Sequence, residues 1–121
     1  WWDKGFQEEW ARFEAVLKEL NKSLLLAGDF NNPAVQEGYQ AILASPLVLQ
    51  DAYEVAKERS GSFTVPPEID GWKGNSEPLR IDYVFTTKDM QVENLHVVFD
   101  GKNSPQVSDH YGLQATLSWK D

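Results

Sequence analysis

Three short clusters along the chain combine acidic, amide and imidazole side chains. They are Gly28-Asp29-Phe30-Asn31, Arg80-Ile81-Asp82-Tyr83 and Ser108-Asp109-His110. A carboxylate can bind a cation or accept a proton, and a neutral amide can donate a hydrogen bond to a phosphate oxygen. A histidine bonded to a carboxylate through one ring nitrogen has a fixed tautomer and can donate from the other nitrogen. We expect Asp82 to be the carboxylate that orients His110.

Each cluster also has an ordinary structural interpretation. A Gly-Asp-x-Asn sequence is typical of turns, because both polar side chains can bond to their own backbone. Asp82 can pair with Arg80 or with a backbone amide, and His110 can be a surface or a core residue. Together, however, the clusters supply a base for water and donors for the charge of a transition state, as phosphoester hydrolysis requires. Their carboxylate and amide oxygens favour Mg²⁺ or Mn²⁺ over zinc.

The first cluster lies between a predicted strand and a predicted helix. The apolar run before it indicates a strand over residues 23–27 that is covered on both faces. Pro33 suits the first position of a helix over residues 33–44. Asp29 and Asn31 then stand at the carboxyl end of a strand, where α/β proteins often bind ligands.

Hydrophobic periodicity predicts the elements that position the other clusters. An amphipathic helix over residues 3–21 is expected to bury one apolar stripe, namely Phe6, Trp10, Phe13, Leu17 and Leu20. A helix over residues 51–58, a brief strand over 62–65 and a loop over 66–78 follow. Alternation predicts strands over residues 79–87, 92–99 and 113–119. The order of helices and strands indicates an α/β fold in a single domain.

Composition narrows the functional classes. The net charge of −8 disfavours unaided binding of nucleic acid. The absence of cysteine excludes disulfides, thiolate nucleophiles and Cys-based zinc sites, and it favours a cytoplasmic location. No apolar run approaches the roughly 20 residues of a membrane span.

Taken together and in order, the three clusters resemble the C-terminal motifs of the endonuclease/exonuclease/phosphatase superfamily. The third motif then reads Ser108-Asp109-His110-Tyr111-Gly112, and the resemblance covers nearly the whole chain from about residue 23. It implies a four-layer α/β/β/α sandwich that hydrolyses phosphoesters with a divalent cation.

The resemblance also implies a role for each side chain. Asp29 positions or activates water, Asn31 contacts phosphate, and His110, oriented by Asp82, stabilises the transition state. The cation is expected to be Mg²⁺ or Mn²⁺, bound by Asp109, Asp29 and Asn31.

Longer stretches are similar to bacterial small-molecule phosphatases of the family, including maltose-phosphate phosphatases. They are Asn32-Pro33, Ile69-Asp70-Gly71-Trp72 and Val98-Phe99-Asp100-Gly101. This similarity implies a small phosphorylated substrate such as a sugar phosphate. Trp72 and Arg80 are the candidate substrate contacts.

The chain departs from the family because nothing in it matches the N-terminal half, which brings a further sheet, an Asn and a metal-binding Glu. Residues 1–121 are therefore predicted to be the C-terminal half of the sandwich, a mixed sheet with helices packed on one face. We expect the exposed inner face of the sheet to be covered by the missing half or by a second copy, the candidates being Ile81, Tyr83, Phe85, Val97 and Phe99. The isolated chain is predicted to be inactive.

Two alternatives stay open at the level of sequence. A nuclease or a sphingomyelinase-like phosphodiesterase belongs to the same superfamily, but a nuclease needs a basic groove and the 11 Lys and Arg residues are scattered. A non-catalytic scaffold has no physical need for Asp82, Asp109 and His110 together.

Overall fold

The computed structural model describes residues 4–67, 77–102 and 104–121. These residues form three helices and six strands, which are α1 (Lys4–Leu20), β1 (Leu25–Asp29), α2 (Glu37–Leu43), β2 (Leu49–Asp51), α3 (Ala52–Val55), β3 (Glu58–Ser60), β4 (Asp82–Thr87), β5 (Met90–Val98) and β6 (Gly112–Trp119). The predicted amphipathic helix and the last three predicted strands are present, with ends shifted by at most three residues.

The first sheet has the order β1-β4-β2 and is antiparallel throughout. Because side chains alternate along β4, Tyr83 and Phe85 point to one face of the sheet and Val84 to the other. The face that carries Tyr83 and Phe85 is covered by α1 and α2, in a core completed by Phe6, Trp10, Tyr39, Ile42 and Leu49.

The second sheet has the order β3-β5-β6, with β3 parallel and β6 antiparallel to β5. It packs on the opposite face of the first sheet, where Val84 of β4 and Ala52 of α3 meet Val92 and Leu95 of β5. The described residues thus stack as a helix layer, a sheet and a second sheet. This arrangement confirms the α/β class and accounts for three layers of the expected sandwich.

Some local predictions were wrong because contacts distant in sequence decide the conformation. Pro33 does not begin a helix: its carbonyl accepts from the Gln36 N–H at 2.9 Å in a turn, and α2 starts at Glu37. The helix predicted over residues 51–58 ends at Val55, because Glu58–Ser60 pairs in parallel with β5. The strand predicted over residues 62–65 is reduced to one bridge between Val65 and Leu79.

The predicted pattern of exposure also needs correction. Ile81, Tyr83, Phe85 and Val97 are buried, because α1 and α2 cover Tyr83 and Phe85; only Phe99 of that predicted set is exposed. Strand β1 was expected to be covered on both faces, yet Leu25 retains 47% of its accessible surface. Phe13 and Leu20 of the predicted apolar stripe are also exposed, at 47% and 51%, so exposed apolar surface lies on α1 and at Leu25 of β1 and not on the Tyr83 face of β4.

No helix among the described residues is both long enough and apolar enough to cross a membrane.

Candidate active site

Two carboxylates face each other at one end of the first sheet. Asp29 is the last residue of β1 and Asp82 is the first residue of β4, and the two are direct cross-strand partners. Directly opposed residues of an antiparallel pair project to the same face of the sheet. Asp82 was expected in the middle of a strand, and its position at the strand end brings it beside Asp29.

His110 contacts both carboxylates from the segment before β6. Its Nδ1 lies 2.8 Å from Asp82 Oδ2, and its Nε2 lies 3.9 Å from Asp29 Oδ2. An ionised carboxylate can only accept, so Nδ1 carries the proton and donates a hydrogen bond to Asp82 Oδ2. The structure therefore brings together three residues that are distant in sequence, and the contact between Asp82 and His110 is the one expected from their types.

The carboxylates alter the titration of His110. Burial lowers the pKa of the imidazole, but the hydrogen bond from Nδ1 to Asp82 and the charges of Asp82, Asp29 and Asp109 outweigh it, so the pKa is raised above its ordinary value. The charged imidazolium is the form that these carboxylates stabilise. The protonated ring is an electrostatic partner suited to an anionic ligand.

The turn after β1 fixes the amide side chains. The Asn31 backbone N–H donates to Asp29 Oδ1 at 2.7 Å, and Asn31 has a positive φ of 47°, a conformation that Asn tolerates. Asn32 is fully buried and its Oδ1 accepts from the Tyr39 N–H, an amide in the first turn of α2. Gly38 makes room for it, since a Cβ there would lie 2.5 Å from Asn32 Nδ2.

A buried hydroxyl ties this turn to the start of β4. Tyr83 Oη lies 2.6 Å from the Asn32 carbonyl and 2.9 Å from the Arg80 carbonyl, and the phenol proton can be shared between them. The Phe30 N–H also donates to the Ile81 carbonyl at 2.9 Å. The sequence placed Tyr83 only on one face of the sheet, because alternation along a strand reveals the face of a residue and not the partner of its hydroxyl.

The possible cation ligands form a smaller group than expected. In the part of the chain that the structure describes, one carboxylate or ring atom each from Asp29, Asp82 and His110 lies within 4.8 Å of the others. Asp109 does not join that group and accepts from the Ser108 hydroxyl at 3.2 Å. Asn31 reaches the group through its backbone N–H on Asp29. Asp82 is bonded to His110, whereas the half-exposed carboxylate of Asp29 offers oxygen donors that suit a hard divalent cation.

Arg80 is engaged elsewhere. Its Nη1 lies 2.9 Å from Asp51 Oδ2, and its side chain is only 12% exposed. The guanidinium also lies over the rings of Tyr53 and Tyr83, at 4.6 and 4.8 Å from their centroids. Burial lowers the pKa of Arg80, but Asp51 raises it more. Its Nη2 also lies 3.4 Å from Glu54 Oε1, so the acids that Arg80 balances are Asp51 and Glu54 and not Asp82, and these contacts are those of a structural residue. Trp72, the other candidate substrate contact, lies outside the described residues.

Comparison with known proteins identifies the family of this chain. The profile of the Endonuclease/Exonuclease/phosphatase family matches residues 1–110. An endonuclease/exonuclease/phosphatase family protein from Leptotrichia buccalis is 31% identical with a TM-score of 0.74, over 88% of this chain and 41% of that one. A protein of the same family from Bacteroides thetaiotaomicron is 25% identical with a TM-score of 0.68, over 89% of this chain and 42% of that one.

A mannosyl-6-phosphatase from Bacteroides thetaiotaomicron shares the fold, at 22% identity and a TM-score of 0.66, over 94% of this chain and 44% of that one. No curated protein matches the chain in sequence. The chain spans about two fifths of the length of the solved relatives that it matches. Since the family profile covers nearly all of the chain and the fold agrees, the chain belongs to the endonuclease/exonuclease/phosphatase family.

Proposed function

We propose that the protein to which this chain belongs is a divalent-cation-dependent phosphatase that hydrolyses a small phosphorylated molecule. The observation that carries the proposal is the convergence of Asp29, Asp82 and His110 at the ends of β1 and β4. Three titratable groups that cluster at strand ends are a common arrangement for catalysis.

Each side chain has a separate task in this proposal. Asp29 orients the attacking water and takes its proton, since Oδ1 is held by the Asn31 N–H while its carboxylate stays half exposed. The oxygen of water attacks phosphorus and the bond to the leaving oxygen breaks. The leaving oxygen takes up a proton from solvent, inorganic phosphate and the alcohol are released, and Asp29 returns its proton to solvent. His110 donates from Nε2 to a phosphate oxygen, because Asp82 occupies Nδ1. The side-chain amide of Asn31 adds an uncharged hydrogen-bond donor to the phosphate.

A divalent cation fits the residues of the site. Asp29, Asn31 and Asp109 are its proposed ligands, Asp29 being the one that belongs to the compact group of donors. When bound, Mg²⁺ or Mn²⁺ would neutralise charge on the phosphate oxygens. The hydrogen bond between Asp82 and His110 leaves those two residues to orient each other.

The acidic character of the chain supports a small substrate over a polyanion. A net charge of −8 repels nucleic acid, whereas a sugar phosphate carries little charge beyond its single phosphate group. The fold shared with a mannosyl-6-phosphatase makes sugar phosphates the first class to test.

We further infer that residues 1–121 are the C-terminal portion of a larger domain, whose remainder covers the flank of α1 formed by Phe13, Val16 and Leu20. These apolar residues of α1 are 47–60% exposed. On the same helix, the ring of Trp10 lies 6.0 Å from that of Phe13, and its buried Nε1 has no hydrogen-bond partner among the described residues. The solved relatives are more than twice as long as the matched segment, so they contain enough chain to cover such a surface. The isolated chain is proposed to be inactive.

The test is a substrate panel with the full-length protein. Sugar phosphates, inorganic pyrophosphate, single-stranded DNA and duplex DNA are assayed for release of phosphate or cleavage, with Mg²⁺, with Mn²⁺ and after chelation. We expect cation-dependent release of phosphate from a sugar phosphate. Cleavage of DNA with no activity on any phosphomonoester would contradict the proposed phosphatase and indicate a nuclease. Undiminished turnover after chelation would contradict the proposed dependence on a cation.

A further inference from the structure

We propose that Thr64 is a positioning residue that holds the Asp82 segment and the His110 segment at a fixed separation. Thr64 is fully buried and lies in the connection that leads from β3 towards β4. The proposal rests on the function proposed above for Asp82 and His110. Neither composition nor periodicity singles out this threonine, because its side chain carries no charge and belongs to no regular element.

The side chain of Thr64 binds the segment that carries Asp82. Its Oγ1 accepts from the Ile81 N–H at 3.2 Å and from the Asp82 N–H at 3.3 Å. Its own proton points to the Leu79 carbonyl at the longer distance of 3.5 Å. The backbone adds two bonds, from the Thr64 and Val65 N–H groups to the same Leu79 carbonyl, at 2.8 and 2.9 Å.

The backbone carbonyl of Thr64 binds the segment that carries His110. It accepts from the Tyr111 N–H at 2.7 Å, the shortest backbone bond outside the regular elements of the described residues. One buried residue therefore bonds to the backbone of Asp82 and to the backbone of Tyr111, the residue that follows His110. These two residues are 28 positions apart in sequence, and their side chains meet at 2.8 Å.

This arrangement has a consequence for turnover. Loss of the Thr64 hydroxyl leaves two backbone N–H groups without their acceptor, so the start of β4 can shift relative to the segment before β6. A displacement of about 1 Å in a catalytic group can lower turnover by about 10²-fold without abolishing substrate binding. The hydroxyl thus acts on catalysis through Asp82 and His110, since Thr64 itself is covered.

Thr86 provides a matched control. It is also fully buried, it lies on β4, and its Oγ1 accepts from Gln50 Nε2 at 3.0 Å, away from the acidic cluster. Thr64→Val and Thr86→Val each replace one buried hydroxyl by a methyl group of similar size. Thr64→Ser retains the hydroxyl and removes only the methyl group.

The experiment uses the full-length protein and two readouts. The first is the low-field NMR signal of the His110 Nδ1 proton, which needs neither substrate nor turnover. The second is the pair kcat and KM for the best sugar phosphate. We expect T64V to broaden or lose the proton signal and to lower kcat by about 10- to 100-fold, with KM little changed. T64S and T86V should keep the signal and a near-normal kcat, although T86V lowers the unfolding temperature.

The outcomes separate this inference from the proposed function. If no phosphoester is hydrolysed by the wild type, the proposed function fails and the proton signal alone decides the role of Thr64. An unchanged signal in T64V, or equal losses of kcat in T64V and T86V, would overturn the inference. Should T64V not fold, Thr64→Cys takes its place with the same expectations, since a thiol is a weak acceptor.

Discussion

Asp29 and Asp82 are directly opposed across the pair formed by β1 and β4, and His110 contacts both carboxylates. Like charges at directly opposed positions destabilise an antiparallel pair. The imidazolium offsets this repulsion, with Nδ1 on Asp82 and Nε2 towards Asp29. The same geometry that makes the site acidic therefore also keeps a positive charge within it.

The stability of the protein should depend on the protonation of His110. Its pKa is raised in the folded state, by Asp82 above all, although burial opposes the shift. The stabilising contribution is fully present below the unfolded-state pKa of about 6.5, and it is lost as the pH rises through the folded-state pKa. Urea unfolding of cation-free full-length protein should show that the advantage of the wild type over His110→Asn shrinks as the pH rises over this range.

NMR titration of the same protein checks the cause. Asp82→Asn should lower the pKa of His110, whereas Asp89→Asn, a substitution near the other end of β4, should leave it unchanged. An equal pKa of His110 in the wild type and in D82N would contradict the assigned contact.

Removal of His110, the proposed hydrogen-bond donor to phosphate, should impair turnover more than binding. Loss of one donor to a developing charge typically lowers kcat by about 10²- to 10³-fold, and we expect this of His110→Gln at saturating cation. His96→Gln is the matched control, because His96 lies on β5 with its Nδ1 2.8 Å from Ser60 Oγ. Steady-state kinetics on one sugar phosphate compare the two variants, and similar losses in both would count against His110.

The proposed water-orienting carboxylate has a control of the same local geometry. Asp29 and Asp100 each accept a hydrogen bond from the backbone N–H two residues later, at 2.7 and 3.0 Å. Asp29→Asn and Asp100→Asn therefore perturb similar turns. We expect D29N to lose most of the kcat and D100N to retain it, as measured by phosphate release. Activity of D29N near that of the wild type would show that the carboxylate is not needed.

Arg80 should matter for folding and not for substrate affinity. It forms a largely buried pair with Asp51, and removal of one partner of such a pair typically costs about 3–5 kcal/mol. Arg80→Met and Asp51→Asn should each lower the free energy of unfolding substantially, with KM of the folded enzyme little changed. Urea denaturation gives the free energy of unfolding, and steady-state kinetics give KM. A large rise in KM for R80M alone would return Arg80 to the substrate site.

The apolar flank of α1 offers a test of the larger domain. Val16 is 60% exposed and lies on the same side of the helix as Phe13 and Leu20, whereas the exposed Ala11 lies on the opposite side. If the remainder of the domain covers the flank, Val16→Glu destabilises the full-length protein strongly and Ala11→Glu does not. The melting temperatures of both variants test this expectation. Equal melting temperatures would show that the flank is not covered in the full-length protein.

The sequence by itself determined the class of fold, and it named Asp29, Asp82 and His110 as members of one candidate site. Period and alternation follow from backbone geometry, so α1 and strands β4 to β6 could be recognised from local patterns. The chemical types of Asp29, Asp82 and His110 likewise restricted the ways in which they could interact.

Only the tertiary structure decided the contacts that join distant segments. The end of α3 depends on the pairing of β3 with β5. The start of α2 depends on the bond between Asn32 and Tyr39, and Arg80 finds its partner in Asp51. The bonds of Thr64 to Asp82 and Tyr111 likewise leave no trace in the local sequence. The physical reason is that a buried polar group takes whichever partner the packing brings within hydrogen-bond distance, and residues far along the chain supply that partner.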